Sequence, residues 1–213
     1  MASRKIFFDL DGTLIDSTQR LYLLFVKLSG IKDLSYEDYW AIKRKKKDHR
    51  YILDILYKWS PGKISEFINS WMADIEAEEW LMYDKAFDQT AAILSGIPTY
   101  FDLYIVTARQ SETAAINQLQ KLGLSSFFKN ILVTRNQTSK TALVLQHVNT
   151  TVNDIFVGDT GSDIQTAKEL NCISVAVTCG FRSRQDLETY RPDYIFENIA
   201  DPLFHALLLK HEL

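Results

Sequence analysis

Hydrophobic residues are grouped along the chain in short continuous runs, separated by stretches of helical period. The runs at 5–9, 103–107, 130–133, 154–158 and 173–177, with a weaker one at 194–196, predict strands. Their continuity, in place of alternation, marks strands covered on both faces, as in parallel sheets. Helices are expected between them. Over 112–122 the spacing places Ala115, Leu119 and Leu122 on one face, and Gly123 supplies a stop. Ser139 is a fitting N-cap for a helix over 140–148, and another helix is expected over 163–170. Alternation of strand and helix predicts an α/β fold, a doubly wound parallel sheet.

From about Thr18 to Tyr83 the alternation stops and only helical periodicity remains. Leu21, Leu24, Phe25 and Leu28 share a face closed by Gly30. Ser35 before Asp38 opens a second helix; Ile52, Ile55, Leu56 and Trp59 mark a third, ended by Pro61-Gly62. Ile64, Phe67, Ile68, Trp71 and Ile75 mark a fourth. This predicts a small helical bundle, residues 17–83, inserted into a core made of 1–16 and 84–213. Trp40, Tyr51, Trp59, Trp71 and Trp80 are read as the aromatic core of that bundle.

Composition narrows the function. Hydrophobic residues make up 46% and charged residues 24% of the 213, the balance of a chain able to bury a core. With 24 basic against 27 acidic residues the net charge is -3, which argues against wholesale nucleic-acid binding. Cys172 and Cys179 lack metal-ligand spacing and read as reduced thiols. The four histidines, His49, His147, His205 and His211, are scattered. With neither an apolar leader nor a membrane-length apolar span in the sequence, a cytoplasmic location and no membrane partner are expected.

In open α/β sheets ligands bind beyond the carboxyl ends of the strands, and polar residues gather there. Asp9-Leu10-Asp11-Gly12-Thr13 follows the first strand and Thr107-Ala108-Arg109 the second. Lys140 opens the helix after the third, and Gly158-Asp159-Thr160-Gly161-Ser162-Asp163 closes the fourth. Carboxylates gathered without a cation repel one another. A hard divalent ion such as Mg²⁺ resolves this through oxygen ligands, and the lack of clustered His or Cys argues against zinc. A lysine and a hydroxyl beside such a site suit a tetrahedral anion. An aspartate can then be the nucleophile, with Asp11 placed to move the proton.

These motifs, in this order, resemble the haloacid dehalogenase-like hydrolase superfamily, and within it the phosphoglycolate-phosphatase-like branch. The matching residues are Phe8 to Ser17, Thr107, Lys140 and Gly158 to Asp163, with Leu119, Gly123, Phe128, Gly180 and Arg191-Pro192-Asp193-Tyr194 extending the likeness along the chain. The resemblance implies a Rossmann-like core with a mobile helical cap and a Mg²⁺-dependent phosphatase acting on a small phosphorylated metabolite, as a monomer or homodimer. It implies Asp9 as nucleophile and Asp11 as general acid and base. Thr107 and Lys140 would hold the phosphoryl oxygens, with Gly12, Thr13, Ala108 and Arg109 lining the substrate site. Asp9, the Asp11 backbone carbonyl and Asp159 would hold the metal, with Asp163 acting through water or orienting Lys140. Many relatives carry Ser or Thr followed by Asn where this chain has Thr107 followed by Ala108-Arg109, and Arg109 leaves the substrate class open.

Taken singly, Thr107 reads as a helix N-cap and Asp163 as a first-turn acid facing the helix dipole. On a helix, Lys43, Lys46, Lys47 and Arg50 would share one face, read as solvated and alternatively as a substrate contact. A phosphosugar mutase, a phosphonate hydrolase and a non-catalytic regulator are the competing functions.

Overall fold

In the computed structural model of the chain, residues 3–210 are described. A six-stranded sheet runs β5-β4-β1-β6-β7-β8 and every pairing in it is parallel. Here β1 is Arg4–Phe8, β2 Ile15–Asp16, β3 Lys85–Ala86, β4 Phe101–Thr107, β5 Asn130–Val133, β6 Ile155–Gly158, β7 Ile173–Val177 and β8 Tyr194–Phe196. The expected strands are all present, and the weak run at 194–196 forms the edge. β1 lies in the middle, with β4 on one side and β6 on the other. The chain builds outward from β1 through β4 to β5, then returns to build β6, β7 and β8 on the opposite side.

Both sheet faces are covered, which is why the strands are continuously apolar. Ile6, Phe8, Ile105, Val157 and Val175 pack one face against Leu94, Leu119 and Phe204 of the helices Thr90–Gly96, Glu112–Lys121 and Pro202–Lys210. Phe7, Tyr104, Val106 and Phe156 pack the other against Leu143, Val144 and Ala167 of the helices Lys140–His147 and Gly161–Glu169. Ile6, Phe7, Phe8 and Val157 are fully buried, and each such side chain contributes about 1.5–3 kcal/mol. None of the helices among the described residues is long and apolar enough to cross a membrane.

Between Thr18 and Leu81 the described structure is helical: Thr18–Ser29, Tyr36–Lys43, His49–Tyr51, Ile52–Leu56, Pro61–Asp74 and Glu78–Leu81. Ser35 and Ser60 cap the second helix and Pro61–Asp74 by accepting the Asp38 and Lys63 N–H groups. Gly30 ends the first helix at φ 70, donating its N–H to the Val26 carbonyl. These helices enclose a separate core of Phe25, Tyr39, Trp40, Ile52, Leu53 and Phe67. The antiparallel pair β2 and β3 joins the two crossings into and out of this segment.

Three readings of this region need correction. Ile52–Leu56 is a π-helix, in which the Tyr57 N–H reaches the Ile52 carbonyl. Its wider turn rotates the apolar stripe, so Ile52 and Leu53 are buried while Ile55 and Leu56 lie 46% and 45% exposed. Tyr51 and Trp80 stand outside the aromatic core; Trp80 instead packs on Tyr83. The basic run is not one helical face, because the helix ends at Lys43 and Lys46 turns with φ 63. That turn meets the loop after β7: Arg182 donates to the Lys43 carbonyl at 2.9 Å and Lys46 contacts the Tyr190 hydroxyl.

Candidate active site

The C-terminal ends of β1, β4 and β6 deliver Asp9, Thr107 and Asp159 to one place, where strand order reverses about β1. Lys140 arrives from the first turn of its helix, which Ser139 starts by accepting the Ala142 N–H at 3.1 Å. Its ammonium sits between two carboxylates, 2.5 Å from Asp9 Oδ1 and 2.6 Å from Asp163 Oδ1. Asp163 is fixed from its other oxygen, which accepts from the Thr160 N–H at 3.1 Å and hydroxyl at 2.6 Å. Asp163 therefore both caps the start of its own helix and faces Lys140. Thr107, by contrast, caps no helix: it ends β4, 2% exposed, and Ser111 caps the helix that follows.

Asp9, Asp159 and Asp163 are buried with one carboxylate oxygen each within 4.8 Å of the others. Asp159 accepts the Phe181 N–H at 2.6 Å and the Thr13 hydroxyl at 3.5 Å. Two glycines leave room beside it. Gly12 turns at φ 85, and a Cβ on Gly12 or on Gly180 would collide with the Asp159 carboxylate. Gly12 and Thr13 thus support Asp159 from beneath.

The electrostatics follow from crowding of like charge in a dry place. Burial pushes the Asp9 carboxyl up to about 7, against the pull of Lys140 and with repulsion from Asp163 and Asp11. Burial also raises Asp159 well above the usual range, and Asp9 and Asp163 add to it. Lys140 is held above an ordinary lysine because Asp163 and Asp9 outweigh its own desolvation.

Asp11 lies apart from the three acids. Arg109 grips it with a two-pronged contact, Nε to Oδ2 at 2.7 Å and Nη2 to Oδ1 at 2.8 Å. Arg20, from the first inserted helix, adds Nη2 to Oδ1 at 2.6 Å. Burial works against the Asp11 charge, but Arg109 and Arg20 outweigh it and hold the carboxyl well below its usual range. Asp84, just ahead of β3, pairs with both arginines at 3.0 and 3.4 Å. A cavity of about 320 Å³ opens over this ground. Asp9, Thr107 and Lys140 line it from the sheet side, Arg20, Trp71 and Ile75 from the inserted helices, and Ala108 and Arg109 from the loop after β4. No residue from Lys43 to Arg50 lines it. A second cavity of about 470 Å³, between Glu78–Leu81 and Glu112–Lys121, holds none of the three clustered acids.

The residues this geometry adds to the sequence reading are Arg20, Asp84 and Phe181, and it places Gly180, until then only a point of likeness, beside Asp159. For Gly180 and Phe181 the available signal was their place just past β7 at the same sheet edge. Arg20 and Asp84 belong to none of the motifs at the strand ends and gave none.

A match to the family model for haloacid dehalogenase-like hydrolases runs over residues 6–177, most of the chain and every residue of the acidic cluster. The chain belongs to that family. It is 26% identical to a phosphoglycolate phosphatase of Vibrio vulnificus, over 93% of each chain. It is 23% identical to the pyrophosphatase PpaX of Halalkalibacterium halodurans, over 95% of this chain and 96% of that one. Among solved structures, a haloacid dehalogenase-like family hydrolase of Streptococcus pneumoniae superposes with a TM-score of 0.77 at 25% identity, covering 96% of this chain and 99% of its own. The chain is thus a hydrolase of that family, and the relatives that match it over 93% and 95% of its length are named phosphatases.

Proposed function

We propose that the protein is a Mg²⁺-dependent phosphatase that hydrolyses a small phosphate monoester through an aspartyl-phosphate at Asp9. The observation that carries this is Lys140 bridging Asp9 and Asp163, with Asp159 in the same buried cluster and Thr107 at the neighbouring strand end. Phosphoglycolate, sugar phosphates and nucleotides are the substrate classes in view.

The donor set fits the metal. It offers oxygen ligands alone, its charge is uncompensated by the single Lys140, and Gly12 and Gly180 leave space beside Asp159. Asp9, Asp159 and the Asp11 backbone carbonyl would hold the ion, with Asp163 acting through water and Lys140. Bound there, Mg²⁺ supplies positive charge against the phosphoryl oxygens.

The chain's own residues then divide the reaction. Lys140 and the Thr107 hydroxyl orient the phosphoryl group. An Asp9 oxygen forms the new bond to phosphorus as the bond to the leaving oxygen breaks, and Asp11, once it has left Arg20 and Arg109 and taken up a proton, gives that oxygen its proton. Asp11 afterwards takes a proton from water, which attacks phosphorus and frees Asp9 and inorganic phosphate. The helical segment 17–83 serves as a cap, hinged at β2 and β3, that excludes bulk water.

The test is phosphate release from a panel of phosphate monoesters, with Mg²⁺ and with chelator, for the wild type and Asp9→Asn. Release that needs Mg²⁺ and disappears in the variant is expected. Appreciable turnover by Asp9→Asn would refute the covalent scheme, and phosphoryl transfer without release would point to a mutase.

A further inference from the structure

We infer that Phe181 is a positioning residue: its ring is seated among the inserted helices while its N–H holds Asp159, so the metal site is complete only when the helical segment 17–83 is docked. This rests on the phosphatase reading above and adds to it a mechanical link between that segment and one carboxylate.

Phe181 belongs to two cores at once. Its stretch of chain is rooted at the sheet edge, where the Cys179 N–H donates to the Glu197 carbonyl at 2.9 Å. It ends at Ser183, which accepts the Asp186 N–H at 3.2 Å to start the helix Arg184–Thr189. Three residues lie between these anchors. Gly180 is pressed so closely on Asp159 and the Gly12 carbonyl that a Cβ would collide with both, and with Gly12 it forms a cradle for that carboxylate. The next N–H, that of Phe181, donates to Asp159 Oδ2 at 2.6 Å. The Phe181 ring, however, packs in the cluster built on Phe25, Tyr39, Trp40 and Phe67, and among the described residues it is the one member from outside 17–83. It stacks on Trp40 with ring centroids 5.5 Å apart and planes 10° from parallel. Arg182 completes the bridge by donating to the Lys43 carbonyl at 2.9 Å.

This contact matters to Asp159 for two reasons. The Thr13 hydroxyl stands 3.5 Å from the same carboxylate, so the Phe181 N–H is the short hydrogen bond that orients it. Trp40, for its part, is 4% exposed, and its indole N–H is buried without a partner among the described residues. A buried donor left unpaired is costly, so ring contacts, Phe181 among them, are what keep Trp40 in place. If the helices swing away, either the stack breaks and leaves the ring in water, or Phe181 follows Trp40 and its N–H leaves Asp159. Docking of the segment and ordering of Asp159 therefore favour each other. By linkage, an ion bound at Asp159 strengthens the docking by the factor that docking adds to its own affinity.

The experiment is calorimetric titration of Mg²⁺, without substrate, into the full chain as wild type, Trp40→Leu, Phe181→Leu and the double variant. Outer partners of metal ligands contribute roughly 10- to 100-fold to metal affinity. The Phe181 N–H survives in each variant, so the low end applies, a dissociation constant raised about 10-fold in each single variant. Both substitutions break one stack, so the double variant should lose little more than either alone. Trp40→Phe keeps a ring over Phe181 and should recover most of the affinity. Wild-type affinity in a folded Trp40→Leu overturns the inference, as does a double-variant loss equal to the product of the single losses. A second measurement needs no variant: in the wild type, Mg²⁺ should slow amide exchange over residues 40–46, none of which lines the cavity above Asp9. Unchanged exchange there overturns the inference as well. A wild type that neither binds Mg²⁺ nor releases phosphate from any ester defeats the phosphatase reading, and the link with it. Mg²⁺-dependent release with metal affinity unmoved by the variants defeats the link alone.

Discussion

Replacing Lys140 by Met removes a charge while keeping an unbranched chain of similar length, so its effect isolates electrostatics from packing. Its ammonium lies 2.5 Å from Asp9 and 2.6 Å from Asp163, with 8% of the side chain exposed. Among the described residues Asp159 in the same cluster has no ion pair with an arginine or lysine, and it accepts from the Phe181 N–H and the Thr13 hydroxyl. Without Lys140 three buried carboxylates face one another. Breaking a buried ion pair by removing one partner costs about 3–5 kcal/mol. For a chain of this size each kcal/mol moves the melting temperature by about 2–4 °C, so the chelated variant should melt roughly 6–20 °C lower. Mg²⁺ should then raise the variant's melting temperature by more than the wild type's, since the ion replaces the missing positive charge. Differential scanning calorimetry in chelator and in Mg²⁺ gives both numbers. Melting within about 2 °C of wild type in chelator would show that Lys140 does not neutralise the cluster.

Two further outcomes follow from particular contacts. Gly180→Ala puts a methyl group against the Asp159 carboxylate and the Gly12 carbonyl, which is backbone and cannot yield. It should weaken Mg²⁺ binding in calorimetric titration and cost about 1–3 kcal/mol of stability; an unchanged affinity would contradict the cradle. His49 is buried among Phe25, Tyr39 and Trp71, and burial first, then Lys43, holds its ring well below the usual histidine range. The unfolded chain takes up that proton below about pH 6.5 while the folded one does not, so stability is complete above this pH and declines as pH falls. Urea midpoints at pH 8 and pH 5.5 should differ less for His49→Gln than for wild type, and an equal difference would count against it.

Much of the sheet was legible because parallel strands covered on both faces leave continuous apolar runs, a local signal. The edge strand Tyr194–Phe196 was weak because only Phe196 is buried. Asp9, Thr107, Lys140, Asp159 and Asp163 could be gathered from sequence by a topological rule, since strand ends of one parallel sheet share an edge. The state of Asp11 could not. Its partners Arg20 and Arg109 come from an inserted helix and from the loop after β4, and meet only after tertiary folding. The same holds for Asp84, whose role depends on β3 pairing with β2. The stripe around Ile52 misled for a different reason: a π-turn changes the period, so residues spaced for an α-helix turn outward.

The central claim is that Asp9 carries the phosphoryl group. The most direct measurement mixes the enzyme with substrate and Mg²⁺, quenches with acid, and treats the protein with borohydride, which reduces an acyl phosphate to homoserine. Peptide mass spectrometry should find homoserine at position 9 in the wild type, more of it in Asp11→Asn, and none in Asp9→Asn. Rapid phosphate release with unmodified Asp9 in both active forms would mean that water attacks the ester directly, and the covalent account would be wrong.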